Sequence, residues 1–369
     1  MAGPGVEPQI AGIMATRQTI LVGLSGGVDS SVAALLLKQQ GHEVIGVTMR
    51  IYSDAIPIKS RCSACYGPDE DDVAQAQEVC ETLGIPHHTV DLRQEYKDTV
   101  LGYFRDEYLA GRTPNPCVRC NHRIKFGVLL QRAEESGVRF DRFATGHYAR
   151  LAQDATSGRH LLQCAVDKRR DQAYFLCMLT QVQLGRLLFP LGELTKDRVR
   201  ELAREHGLTT HSRPDSQDFV AGDYTPLLGV EEQPGPIRNT KGEVIGEHRG
   251  VWLYTIGQRR GIGIAQQPPL YVLRIDAAAN TIVVGMEEEL FTTTLTARDM
   301  NWIGVETPRF PFQATAKIRS FQTAVPCAVR SGEAGRVVVE FPAAQRAVTP
   351  GQVLVLYDGD TVLGGGIIE

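Results

Sequence analysis

The sequence predicts an α/β protein: a doubly wound parallel sheet, followed by a small middle module and a C-terminal antiparallel β-barrel. Three observations carry this. Up to about residue 212, apolar strands alternate with helical stretches, the pattern of a parallel sheet covered on both faces. Beyond it Gly, Pro and Thr rise, and short β-rich runs recur at roughly 8–12-residue spacing. The 369 residues also exceed what one core usually supports. We divide the chain into a disordered leader (1–16), an α/β domain (17–212), a middle module (213–288) and the barrel (289–369).

Each element has its own signal. TILVGLSGG begins as a buried strand and runs into a glycine turn. DSSVAALLLKQQG has helical apolar spacing, with Asp29 near its start and Gly41 as a stop. HEVIGVTMRIY is the next strand, DEDDVAQAQEVCETLG an acidic-start helix ending in Gly, and IPHHTVDL another strand. Helices at about 94–109 and 121–136 flank a proline loop; RFATGHYARL then reads as a strand and TKDRVRELAREHG as a capped helix. EVIGEHRGVWLYTIGQ and PLYVLRIDAAANTIVVG supply the middle module. TARDMNWIG, FQATAKIRS, AVPCAVRS, GRVVVEF and GQVLVLYDGDTVLGGGIIE supply the barrel.

Composition narrows the class. No apolar run is long enough to span a bilayer, and MAGPGVEPQIAGIMAT lacks the basic start and apolar core of a signal peptide. A cytosolic protein with no membrane partner is expected, so its eight cysteines read as thiols, catalytic groups or metal ligands rather than disulfides. Net charge is −4, but acidic residues dominate 54–111 and basic residues 112–170. That asymmetry allows a basic face on an acidic protein, or merely solvated helix surfaces.

SGGVDS at 25–30 lies between a strand and a helix. Its glycines let backbone N–H groups approach an anion, the helix N-terminus adds partial positive charge, and Ser25, Ser30 and Ser31 add hydroxyls. Without Gly-Lys-Ser/Thr it is not a Walker A loop. It resembles the PP-loop of ATP pyrophosphatases, which cleave ATP to AMP and pyrophosphate. Asp29 then suits a magnesium partner, a helix cap, or both.

Further along come GRTPNPCVRCN with IKF, TGHYAR, KRRDQAYFL, TIGQRRGIG, RDMNWI and TPGQ, in that order. Together they resemble the tRNA-specific 2-thiouridylase family over residues 17–369. The resemblance implies a PP-loop, adenine-nucleotide-hydrolase-like catalytic domain and a central tRNA-binding module. It implies ATP and Mg2+ as cofactors and, as partners, a sulfur donor or carrier protein and tRNAs of the lysine, glutamate and glutamine type. Their wobble uridine 34 would be adenylated at the C2 oxygen, and a cysteine-borne sulfur would replace AMP. Gly23, Leu24, Ser25, Gly26, Gly27, Val28, Asp29, Ser30 and Ser31 would hold the phosphates, and Met49 and Gly146 would frame the adenosine. His147, Lys168, Arg169, Arg170, Asp171 and Gln172 would meet tRNA near the reacting base, and Arg259, Arg260, Arg319 and Gln352 would meet it farther away. The plain alternatives are core packing for Met49, a strand-end histidine for His147 and solvated arginines elsewhere.

The cysteines depart from the family pattern. Where the family has Asp-x-x-Cys, this chain has Cys117 and Cys120; where it has a second cysteine in a stretch resembling SQDICFVPDGDY, this chain has PDSQDFVAGDY. A further pair, Cys62 and Cys65, stands in RCSACYGPDE. Three readings stay open. Cys117 and Cys120 form a persulfide–disulfide couple, one thiolate attacking and its neighbour resolving. Alternatively Cys65, Cys117 and Cys120 ligate a 4Fe–4S cluster with one open iron, as in related PP-loop tRNA thiolases. Or the paired cysteines hold structural zinc. Cys80, Cys164, Cys177 and Cys327 fit core positions. The rival functions are another PP-loop enzyme, such as an amidating synthetase, and a tRNA-binding homologue without catalysis.

Overall fold

The computed structural model describes residues 17–53, 66–213, 219–220 and 222–369. The leader, Cys62 and Cys65, and PDSQD (214–218) lie outside the described residues. The α/β domain contains β1 (Thr19–Gly23), α1 (Val28–Gln39), β2 (Glu43–Arg50), α2 (Glu70–Leu83) and β3 (His87–Asp91). Two long helical runs follow, α3 (93–109) and α4 (116–135), then β4 (Arg142–Thr145), the hairpin β5 (Ala149–Gln153) and β6 (His160–Cys164), β7 (Leu187–Leu188) and α5 (Lys196–Glu205).

Five strands form a parallel sheet in the order β3-β2-β1-β4-β7. Its central strand shows why the pattern is apolar throughout. Ile20 and Val22 enter the core beneath α1, α2 and α5, whereas Leu21 enters the core beneath α3 and α4. All three are fully buried, so neither face tolerates a polar residue. The strand order reverses between β1 and β4, which puts the crevice for ligands at the carboxyl ends of those two strands.

RFATGHYARL does not form one strand. β4 stops at Thr145 because Gly146 lies so close to the first turn of α1 that a Cβ would sit 2.6 Å from the Asp29 carbonyl carbon and 2.7 Å from Ser30 N. The chain turns there, and β5 pairs with β6 instead. The expected α4 also begins earlier, at Pro116, and its Cys120–Val128 stretch is widened to π geometry.

The middle module carries β8 (Gly235–Arg238), β9 (Val244–His248), β10 (Tyr271–Asp276) and β11 (Thr281–Gly285) in the order β10-β11-β8-β9. Its β8–β11 pair is parallel, unlike the antiparallel arrangement expected, because the two strands are not consecutive and are joined by a long connection.

The last six strands are β12 (Phe291–Trp302), β13 (Phe312–Lys317), β14 (Val325–Ser331), β15 (Val337–Arg346), β16 (Val353–Asp358) and β17 (Thr361–Ile368). They run β12-β15-β14-β13-β16-β17, and a β12–β17 pairing closes an antiparallel barrel. The hairpin β5–β6 attaches to β17 at Gln163–Thr361, docking the barrel on the α/β domain. Among the described residues no helix is long and apolar enough to cross a membrane.

Candidate active site

β1 ends at Gly23 and the chain turns through Gly26, at φ +68°, into α1. A side chain at Gly26 is excluded: its Cβ would lie 2.7 Å from Arg213 Nη1 and 2.8 Å from the Asp72 carbonyl oxygen. Arg213 donates to the Gly26 carbonyl at 2.8 Å and pairs with the Asp72 carboxylate, tying the loop to α2. Gly27 is the N-cap, and no side chain caps α1, so its first N–H groups are oriented to meet an anion. Of the three serines, Ser30 and Ser31 donate to the Gly27 carbonyl at 3.1 and 2.9 Å and stiffen the turn. Ser25 is exposed at its mouth, while Leu24 and Val28 anchor the loop in the core.

Asp29 makes no capping hydrogen bond. Its carboxylate accepts from Tyr148 Oη at 2.8 Å and from Lys196 Nζ at 2.7 and 2.8 Å. Lys196 is 6% exposed and begins α5, its own N–H donating to Asp167 at 3.1 Å. Sequence reasoning missed Lys196 and Arg213: both look like ordinary surface charges until tertiary contacts place them. Oδ2 of Asp29 accepts from Lys196, and a carboxylate oxygen has a second lone pair that suits a hydrated Mg2+.

Met49 lies near the end of β2, partly buried against the core. Gly146, packed on Asp29 and Ser30, leads into His147, whose ring meets Phe126 of α4 at 5.7 Å and Phe189 at 6.0 Å. His147 Nδ1 shares a 2.7 Å hydrogen bond with Thr145. Burial, with Lys125 nearby, holds its pKa well below the ordinary histidine value, so the ring is neutral. Two consecutive residues therefore connect the glycine loop to the helix that carries the cysteines.

The cysteine loop is built to present that helix. Arg112 grips Glu107 through two 2.6 Å hydrogen bonds. Asn115 caps α4 by accepting from Val118 N at 3.2 Å, and Pro116 takes the first helical position, where a missing N–H costs nothing. Cys117 and Cys120 follow one turn apart and half-buried. The π stretch strands carbonyls, and Gln183 Nε2 satisfies those of His122 and Phe126 at 2.9 and 3.0 Å. Asn121 donates to the Phe175 carbonyl at 3.1 Å.

Family models match residues 18–221 as a tRNA methyl transferase HUP domain, 228–286 as a tRNA methyl transferase PRC-barrel domain and 292–368 as an aminomethyltransferase β-barrel domain. The tRNA-specific 2-thiouridylase MnmA of Endomicrobium trichonymphae is 45% identical over 359 residues, covering 96% of this chain and all of that one. Its counterpart in Clostridioides difficile is 43% identical over 365 residues, covering 96% and 99%. The chain belongs to the tRNA-specific 2-thiouridylase family.

The positions at which this family was expected to meet RNA fall into two groups. Arg169, Arg170, Arg259 and Arg260 are exposed. Lys168 is exposed as well but pairs with Asp360 of the barrel at 2.7 Å. Asp171, Gln172, Arg319 and Gln352 make hydrogen bonds within the protein. The Asp171 side chain is buried and accepts from Ala165 N at 2.9 Å, and Gln172 accepts from Tyr148 N at 2.9 Å. Arg319 donates to Thr349 Oγ1 at 2.6 Å and the Ala347 carbonyl at 3.2 Å, and burial lowers its pKa. Gln352 donates to the carbonyls of Thr113 and Pro114.

Among the described residues, Cys80, Cys164, Cys177 and Cys327 are buried in the core, as their patterns suggest. Burial pushes the Cys80 and Cys164 thiols up to about 12 and Cys327 to about 11, and it raises Cys177 as well. Among the described residues, no group of three or more His, Cys, Asp or Glu could hold a metal ion.

Proposed function

We propose that the protein is a tRNA 2-thiouridylase that uses ATP and Mg2+ to activate the C2 oxygen of wobble uridine 34 and then installs sulfur there. The observation that carries this reading is the link Asp29/Ser30–Gly146–His147–Phe126, which couples an anion-binding loop to a helix presenting two thiols. The uridine O2 attacks the α-phosphate and pyrophosphate leaves. A sulfur nucleophile held at Cys117 and Cys120 attacks C2, the C2–O bond breaks and AMP departs. The loop's N–H groups and α1 bind the phosphates. Asp29, steadied by Lys196 and Tyr148, would share a hydrated Mg2+ with them. Arg169 and Arg170 face outward for phosphate contacts, and neutral His147 offers a polar edge near the base.

For sulfur supply we propose a 4Fe–4S cluster on Cys65, Cys117 and Cys120, recharged by a sulfur donor or carrier protein. Bound there, it would present an open iron able to hold sulfide. The donor chemistry fits. Cys117 and Cys120 are one helical turn apart, and the residue after Cys65, Tyr66, donates its N–H to Phe219 at 3.0 Å and stacks on Tyr96 of α3 at 5.6 Å. Arg119, between the two cysteines, donates to Thr99 of that same helix at 3.4 Å. Phe219 belongs to the PDSQDFVAGDY segment that lacks the family's usual second cysteine. The second reading, a Cys117–Cys120 persulfide couple, is favoured by the two half-buried thiols standing one helical turn apart.

Anaerobically purified protein, with iron and sulfide restored, is incubated with tRNA and ATP, and the nucleosides are analysed by mass spectrometry. ATP-dependent 2-thiouridine supports the enzyme; bound but unmodified tRNA supports a homologue that has lost catalysis. Full activity under chelation, with no iron or acid-labile sulfide, removes the cluster and leaves the persulfide couple.

A further inference from the structure

Thr113, Pro114, Asn115 and Pro116 form the base of the cysteine loop, and its two prolines lack N–H groups. The loop cannot satisfy its own carbonyls locally, so donors must come from elsewhere. They come from the barrel. Gln352 Nε2 donates to the Thr113 carbonyl at 3.0 Å and to the Pro114 carbonyl at 3.1 Å. Beside it, Thr113 N–H donates to the Pro350 carbonyl at 2.9 Å. Gly351, at φ +89°, approaches so closely that a Cβ would lie 2.9 Å from Thr113 O and 3.0 Å from Thr113 N. The middle module closes the other side: Thr113 Oγ1 donates to Thr255 Oγ1 at 3.2 Å, and a Cβ on Gly111 would meet Ile275 at 2.8 Å.

Donating to two carbonyls uses both N–H groups of the Gln352 amide, and the oxygen that remains is an acceptor. An RNA phosphate is itself an acceptor, so this side chain in this arrangement has nothing to offer it. The next residue along the loop is Asn115, which caps the helix two positions before Cys117. We propose that Gln352 is a positioning residue for the Cys117–Cys120 pair, fixing the cysteine loop from the barrel and so registering the sulfur-handling thiols against the barrel and the middle module. This rests on the reading of Cys117 and Cys120 as the sulfur-handling pair.

The test uses the full chain with Gln352→Met, which keeps length but removes the donors, and with Gly351→Ala, which displaces Thr113 without altering any side-chain donor or acceptor. N-ethylmaleimide labelling rates of Cys117 and Cys120, tRNA Kd and thiolation kcat are measured on each. Labelling rates are expected to shift several-fold in both variants. kcat is expected to fall on the order of tenfold or more, the scale expected for a small misplacement of reacting groups, while tRNA Kd stays unchanged. Loss of tRNA affinity in Gln352→Met with wild-type labelling overturns the proposal, as does wild-type labelling in Gly351→Ala should Gln352→Met fail to fold. Labelling that shifts while the wild-type protein makes no 2-thiouridine defeats the functional reading and leaves the positioning role standing.

Discussion

Lys196 Nζ lies 2.7 and 2.8 Å from the two carboxylate oxygens of Asp29, joining residues 167 positions apart at the mouth of the glycine loop. The pair neutralises a negative charge that would otherwise oppose a polyphosphate bound on the N-terminus of α1.

Lys196→Met is therefore expected to weaken ATP binding and to destabilise the fold. Breaking a fully buried pair costs about 3–5 kcal/mol. Asp29 is 31% exposed, so solvent screens part of the loss, and about 1–3 kcal/mol is expected. ATP titration and denaturant midpoints measure the two effects, and unchanged ATP affinity would remove the electrostatic role.

Asp29→Ala is expected to abolish pyrophosphate release while leaving tRNA affinity intact, because the contacts proposed for tRNA are made by other residues, the exposed Arg169, Arg170, Arg259 and Arg260. Filter binding and pyrophosphate assays on the same preparation separate the two. Pyrophosphate release at the wild-type rate would exclude Asp29 from the phosphate site.

Asn115→Ala removes the cap of α4. A lost N-cap costs about 1 kcal/mol, and here the helix also sets the orientation of Cys117. A modest fall in the denaturant midpoint is expected together with a larger fall in thiolation kcat. A stability loss with unchanged kcat would show that the cap does not govern the thiols.

Much of this arrangement is legible in the sequence, and the exceptions share a cause. Ile20, Leu21 and Val22 announce a two-faced buried strand, SGGVDS an anion loop, and two prolines around Asn115 a rigid turn. Those are local signals. Lys196, Arg213 and Gln352 gain their roles from partners more than 130 residues away, and no local periodicity encodes such contacts. The break at Gly146 escaped for the same reason: its neighbours in RFATGHYARL favour a strand, and only the close approach of α1 ends it.

His122, between the cysteines' helix turn and Gln183, gives a pH signature. Burial, then Arg123 and Arg119, lowers its pKa to about 4. The unfolded chain binds this proton near pH 6.5, so the unfolded state carries more protons between these values. Stability is complete above about pH 6.5 and falls as pH drops towards 4, by on the order of 2 kcal/mol. Thermal midpoints between pH 7.5 and 4.5 should fall, and the slope should be shallower in His122→Gln. A midpoint that rises on acidification would contradict the assignment.

The central claim is that the Cys117–Cys120 loop delivers sulfur to a uridine already activated by ATP. Pyrophosphate release and 2-thiouridine formation, followed together in Cys120→Ser with saturating tRNA, test it most directly. The account predicts that pyrophosphate is still released while no 2-thiouridine forms. Undiminished 2-thiouridine formation in Cys120→Ser would contradict it.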